Sequence, residues 1–147
     1  MPGWEESLIA DDNGIRRILK STRRIAVLGI KPGSRGDQAA HYVPKYMAAR
    51  GFEIVPVPVY YPEVTEILGR PVYRRLADVP GPIDMINVFR RSQDVPPHLD
   101  DMIAAKPKSV WMQLGISNDR VAEALAKAGI KVVQDRCLMV DHRRLMH

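Results

Sequence analysis

The chain predicts a doubly wound α/β domain, a five-stranded parallel sheet with helices on both faces, and three features carry that expectation. Short, wholly apolar runs recur along it, Ile25-Ala26-Val27-Leu28 first among them, and a strand without a polar face is one covered on both sides. Segments of helical apolar spacing lie between these runs, so strand and helix alternate as in successive βαβ units. Glycines at positions 51 and 129 close helical segments just before new apolar runs, as left-handed C-caps do.

At 147 residues the chain suffices for one well-buried core, with residues 1–22 read as an N-terminal helical segment packing on a domain that spans 23–147. Apolar residues make up 46% and charged residues 27%, the balance of a globular protein. No apolar run approaches the ~20 residues that cross a bilayer. The start, MPGWEESLIADDNG, is acidic where a secretory signal is basic, so the expectation is a cytoplasmic protein without membrane contact. The net charge of +5 is spread over isolated pairs such as Arg16-Arg17 and Arg143-Arg144, without a basic block or a nucleic-acid motif. Cys137 stands alone, which excludes an internal disulfide, and the histidines at 41, 98, 142 and 147 lack metal-ligand spacing.

In order, a helix is expected over residues 13–21, packed at the sheet edge. The first strand, residues 25–28, runs into a glycine-punctuated loop. A helix over 37–50 follows, and Pro44 within it removes one backbone donor and predicts a kink. Residues 53–57 form the second strand, with Pro56 marking its end. Residues 58–75 read as a long connection holding a short helix at 63–68 and a turn at Gly69. The third strand is 83–89, followed by a helix over 96–105. The fourth is 109–113, and Ser117-Asn118-Asp119 then cap a helix that ends at Gly129. The fifth strand is 131–134, and the tail from Leu138 to Met146 is weakly helical.

In such a sheet the ligand lies beyond the carboxyl ends of the strands, at the point where the winding direction reverses. The loop after the first strand, Gly29-Ile30-Lys31-Pro32-Gly33-Ser34-Arg35-Gly36, combines tight turning, little bulk, a hydroxyl and positive charge ahead of a helix. Those are the properties of a phosphate cradle, or of an ordinary strand-to-helix turn with exposed charges. A dinucleotide site would need G-x-G-x-x-G and an acid closing the second strand; here the glycines fall at 29, 33 and 36 and the strand runs into Pro58-Val59-Tyr60-Tyr61. A Walker-type loop would need Lys-Ser/Thr after its second glycine, and Gly33 is followed by Ser34-Arg35. An anion loop without a ribose-reading acid suits coenzyme A, which carries a diphosphate, a 3′-phosphate and a long pantetheine arm.

The array VLGIKPGSRGDQAAHYVPKYM, VPV, IDMINVFRRSQ, VWMQLGI and GIKVVQDRCLMVDHRRL resembles the small stand-alone CoA-binding proteins, which are similar to the N-terminal domain of the succinyl-CoA synthetase α subunit. The resemblance runs from Arg23 to Leu145. It implies a Rossmann-like fold and coenzyme A as the cofactor, and it implies no synthetase activity, because that enzyme's phosphohistidine domain and nucleotide-grasping partner have no counterpart here. Family members usually carry Asn-Pro after the second strand, where this chain has Pro58-Val59.

The candidate binding residues are Gly29, Ile30, Lys31, Gly33, Ser34 and Arg35 at the phosphates, and Val57 and Tyr60 beside an adenine. Phe89 and Arg90 after the third strand, Gln113 and Gly115 beside the pantetheine arm, and Cys137 at the thiol end complete the set. A packing role stands beside each: core-to-loop transition for Val57 and Tyr60, core Phe and solvated Arg for Phe89 and Arg90, an inert buried thiol for Cys137. No nucleophile, base and oxyanion group converge, so the functional expectation is a binder of CoA or an acyl-CoA, monomeric or homodimeric, with a protein partner in view. Two alternatives differ in class: a small NAD(P)-dependent oxidoreductase or acyl-CoA transferase, and a basic adaptor that has lost its nucleotide.

Overall fold

The computed structural model describes residues 3–146; Met1 and Pro2 of the expected N-terminal segment, and His147, lie outside the described residues. The elements run α1 (Asp12–Lys20), β1 (Arg24–Leu28), α2 (Ala39–Ala49), β2 (Glu53–Val57), β3 (Glu66–Ile67), β4 (Arg70–Pro71), β5 (Met85–Val88), α3 (Leu99–Ala105), β6 (Ser109–Met112), α4 (Asp119–Lys127), β7 (Lys131–Val133) and α5 (Leu138–Leu145). Five strands form one sheet in the order β2-β1-β5-β6-β7, every neighbouring pair parallel. The chain winds outward from β1 to β2, then returns past β1 to β5 and winds the other way. The reversal lies between β1 and β5.

Alternation along the strands divides the core in two. Ala26, Leu28, Ile86, Val88, Val110 and Met112 face Met102 of α3 and Val121 and Leu125 of α4. Ile25, Val27, Met85 and Trp111 face Ile15 and Leu19 of α1, Val43 and Met47 of α2, and Leu138 and Leu145 of α5. The wholly apolar runs are thereby explained: successive residues from Ile25 to Leu28 enter the two clusters alternately.

Several details depart from the expectations. The N-terminal segment does more than pack at an edge: α1 covers a sheet face, while Leu8 pairs in parallel with Val132 and the Ile9 N–H donates to the Val132 carbonyl at 2.8 Å. Residues 63–68 form no helix; Glu66–Ile67 and Arg70–Pro71 pair as an antiparallel hairpin about Gly69. Pro56 stays within β2 because β2 is an edge strand: its carbonyl accepts the Tyr73 N–H at 2.9 Å on the side away from β1, where the missing N–H would also point. The helix expected from residue 96 starts as a 3-10 turn, Pro96–His98, and becomes α-helical at Leu99. Pro44 lies inside α2, and the Ala40 carbonyl it leaves without an intrahelical donor accepts the Lys31 N–H at 3.0 Å. The proline therefore ties the loop after β1 to the helix that follows.

Candidate functional site

At the winding reversal the backbone exits of β1 and β5 almost touch. Gly29 has φ +89°, and a Cβ there would lie 2.3 Å from the Phe89 carbonyl oxygen, so only glycine fits. Its N–H donates to the Val57 carbonyl at 2.8 Å, and the Phe89 N–H donates to the Leu28 carbonyl at 2.8 Å. The ends of β2, β1 and β5 are thus laced together beneath the loop. Ile30 is buried, whereas Gly33, Ser34 and Arg35 form an exposed 3-10 turn.

A cavity of about 460 Å³ opens beside this junction, lined by Lys31, Gln38, Phe89, Arg90, Ser92 and Ile116 among others. One wall is the start of α2, where Gln38, Ala39 and Ala40 present the positive end of the helix. The opposite wall is cross-tied: the Ser117 N–H donates to Ser92 Oγ at 3.0 Å, and the Gly115 N–H to Asp135 Oδ1 at 2.6 Å. Lys31, Arg90 and Arg91 are the charged lining residues, and no carboxylate lines the cavity among the described residues. Arg91 is neutralised by Asp94 at 2.9 Å. Among the described residues the Lys31 ammonium meets only the neutral Gln38 side chain, and Arg90 Nε is buried without a hydrogen-bond partner. Two cations without counter-charge and a helix N-terminus facing one hollow are suited to an anion.

Four of the residues singled out from sequence meet in this cavity: Lys31, Phe89, Arg90 and Gly115. Gly29 adjoins it, and Gly33, Ser34 and Arg35 stand on the neighbouring turn. The rest lie elsewhere. Val57 is fully buried at the end of β2. Tyr60 is 72% exposed and packs edge-on against Tyr61, with ring centroids 5.1 Å apart. Gln113 is 4% exposed and faces inward; its Oε1 accepts the Leu138 N–H at 3.3 Å, capping α5 from within the core. Cys137 is a free, half-buried thiol at the N-cap of α5, packed against the apolar cluster beneath that helix and outside the cavity lining. Sequence reasoning missed Gln38, Ala39, Ala40 and Gln93, which reach the cavity only through the fold, whereas Ser92 and Ile116 belong to the turns expected beyond the strand ends.

On the α3 side a smaller hollow of about 280 Å³ is lined by Leu28, Val59, Arg74, His98 and Asp101 among others. The Arg74 guanidinium donates to the carbonyls of Tyr60 and Pro62, both at 3.3 Å, and to that of Val64, clasping the segment after β2. Burial lowers the pKa of His98 below the usual imidazole value, and the nearby Arg90 charge lowers it further. The Arg75 guanidinium, hydrogen-bonded to Asp101, holds that carboxyl below its ordinary range.

Among the described residues no helix is long and apolar enough to cross a membrane, and no cluster of histidine, cysteine and carboxylate side chains is placed to hold a metal ion.

Comparison with known proteins adds a family. The family model described as a CoA binding domain matches residues 23–143. The uncharacterized protein YneT of Bacillus subtilis (strain 168) is 36% identical over 128 residues, 87% of this chain and 91% of that protein. A structure from Thermus thermophilus, cell-free ID.343, superposes with a TM-score of 0.85 at 37% identity, covering 93% of this chain and 100% of the other. A dinucleotide-forming acetyl-coenzyme A synthetase 1 of Ca. Korarchaeum cryptofilum, in complex with phosphate and ADP, matches at 18% identity with a TM-score of 0.65. The match covers 78% of this chain and 26% of the synthetase, and it shows the fold alone.

Proposed function

The chain belongs to the CoA binding domain family, and from that premise we propose that it binds coenzyme A or an acyl-CoA across the carboxyl ends of β1 and β5, as a binding protein and not as a catalyst. The observation that carries this reading is the cavity at the winding reversal, where Lys31 and Arg90 have no carboxylate to answer them among the described residues. In this reading the diphosphate lies against residues 29–36 and the start of α2, with Lys31, Ser34, Arg35 and Arg90 supplying donors. The pantetheine arm runs along Phe89, Gly115 and Ile116, the less polar part of the lining. Gln113 acts from behind this wall by holding α5, and Cys137 lies toward the thiol end. The adenosine extends over the end of β2, toward Val57 and Tyr60.

Calorimetric titration with CoA, acetyl-CoA, NAD, NADP and ATP tests the reading. CoA should bind more tightly than the dinucleotides, and at ~100 times its dissociation constant it should stabilise the fold by about 2.7 kcal/mol. Uptake of NAD with none of CoA would replace this reading with that of an oxidoreductase. Turnover of acetyl-CoA in the presence of an amine or thiol acceptor would replace it with that of a transferase.

A further inference from the structure

His41 sits in the first turn of α2, 7% exposed, and its surroundings fix what each ring nitrogen does. Nδ1 lies 2.8 Å from the Lys31 carbonyl oxygen. A carbonyl only accepts, so Nδ1 carries a proton and donates. The same residue is held through its other backbone group as well, because the Lys31 N–H donates to the Ala40 carbonyl. Nε2 has no hydrogen-bond partner among the described residues. Its position follows from the two ring carbons that flank it: a Cβ built on Gly33 would lie 4.0 Å from Cε1, and one on Gly36 would lie 3.8 Å from Cδ2. Nε2 therefore points between Gly33 and Gly36, into the turn that leads from β1 to α2. The turn offers further donors, since the N–H groups of Gly33 and Ser34 have no partner among the described residues.

We infer that His41 is an anion-binding residue of this site: its Nε2–H donates to a phosphate oxygen held by the Gly33–Gly36 turn, while its Nδ1–H anchors the Lys31 carbonyl. This rests on the reading of a diphosphate at residues 29–36. An imidazole used in this way donates from both nitrogens, so it is the imidazolium that binds, and the bound oxyanion supplies the counter-charge. Positions 33 and 36 carry no side chains, so nothing from them covers the edge of this nine-tenths buried ring.

Two substitutions separate a direct contact from a structural one. His41→Asn places an amide N–H near Nδ1 and removes the donor at Nε2; His41→Gln reaches toward Nε2 and leaves the Lys31 carbonyl without its donor. The full chain is titrated with CoA and, separately, with inorganic pyrophosphate, while the ring nitrogens are followed by long-range ¹H–¹⁵N NMR. His41 Nε2 should move to the protonated range on addition of either probe. His41→Asn should stay folded, with an unchanged thermal midpoint, and bind CoA roughly tenfold more weakly, as for loss of one charge-assisted hydrogen bond. His41→Gln should retain more affinity than His41→Asn. CoA uptake with an unmoved Nε2 resonance, or with equal affinity for wild type and His41→Asn, overturns the inference and leaves the CoA reading standing. Movement of Nε2 with pyrophosphate but no uptake of CoA does the reverse: it keeps His41 as an anion-binding residue and removes the CoA reading.

Discussion

Two groups of cations in this molecule are treated in opposite ways. Around α5 the buried carboxylate and two arginines answer one another: the Arg136 guanidinium grips the buried Asp141 with bonds of 2.6 and 3.0 Å, and Arg144 bridges Asp141 to Asp12 at 3.2 and 2.9 Å. The partnership is strong enough to hold the Asp12 carboxyl below its ordinary range through its hydrogen bonds to Arg144. At the winding reversal, Lys31 meets a neutral amide and Arg90 buries an unpartnered Nε. A cation matched to carboxylates completes the fold that contains it. One left unmatched beside a hollow raises the energy of the empty protein and lowers it when an anion arrives. The contrast separates arginines matched within the fold from a lysine and an arginine that meet no carboxylate among the described residues, a distinction invisible in the net charge of +5.

The substitution expected to do most damage strikes the scaffold and the site together. Gly29→Ala combines a left-handed backbone with a contact of 2.3 Å to the Phe89 carbonyl, and should cost about 3 kcal/mol or more in denaturant unfolding, with CoA binding lost. Asp141→Ala comes next and should act on stability alone. It leaves Arg136 half-buried without its bidentate partner and should cost about 2–3 kcal/mol, with CoA affinity unchanged in the folded fraction. Arg90→Ala should show the mirror image: unfolding within about 0.5 kcal/mol of wild type, and CoA affinity reduced roughly 10- to 100-fold. Pantetheine, which lacks the phosphates, should lose much less. If Arg90→Ala unfolds as readily as Asp141→Ala, or weakens CoA and pantetheine equally, the division between the two groups collapses.

Much of this architecture was legible because the strands are covered on both faces and read as largely apolar runs, unbroken from Ile25 to Leu28 and interrupted only by the buried Asn87 between Met85 and Val88. The hairpin at 66–71 escaped because two-residue strands carry no periodicity, and Glu66, Arg70 and Pro71 are exposed. The prolines misled in an instructive way. Pro56 reads as a strand end only if β2 is interior, and edge position is a property of strand order, which no local pattern encodes. Pro44 reads as damage to a helix, yet the carbonyl it frees is the one that secures Lys31. In the site, Lys31, Phe89, Arg90 and Gly115 were accessible because strand ends define such a cleft. The inward turn of Gln113 follows from two-residue alternation, since Gln113 shares a face with Trp111 and Asn87. His41 stands within the array that carries the family resemblance, but its contact with the Lys31 carbonyl joins helix to loop in a way the sequence does not display.

The smallest expected effect is the most direct report on the unmatched charge. His98 titrates below the usual imidazole range first because it is partly buried and second because Arg90 repels its protonated form; Asp101 and Asp94 oppose this. A lowered folded-state value means that the stability His98 contributes is fully present above the unfolded value of about 6.5 and is lost as the pH falls through the folded one. An anion bound at Arg90 cancels part of the second cause and none of the first. CoA should therefore raise the His98 pKa toward, but not to, the ordinary value, and Arg90→Ala should raise it in the free protein in the same way. By linkage the affinity for CoA must increase as His98 gains its proton. An NMR titration of the His98 ring with and without saturating CoA checks this, and an unchanged or lowered value would place the bound phosphates away from Arg90.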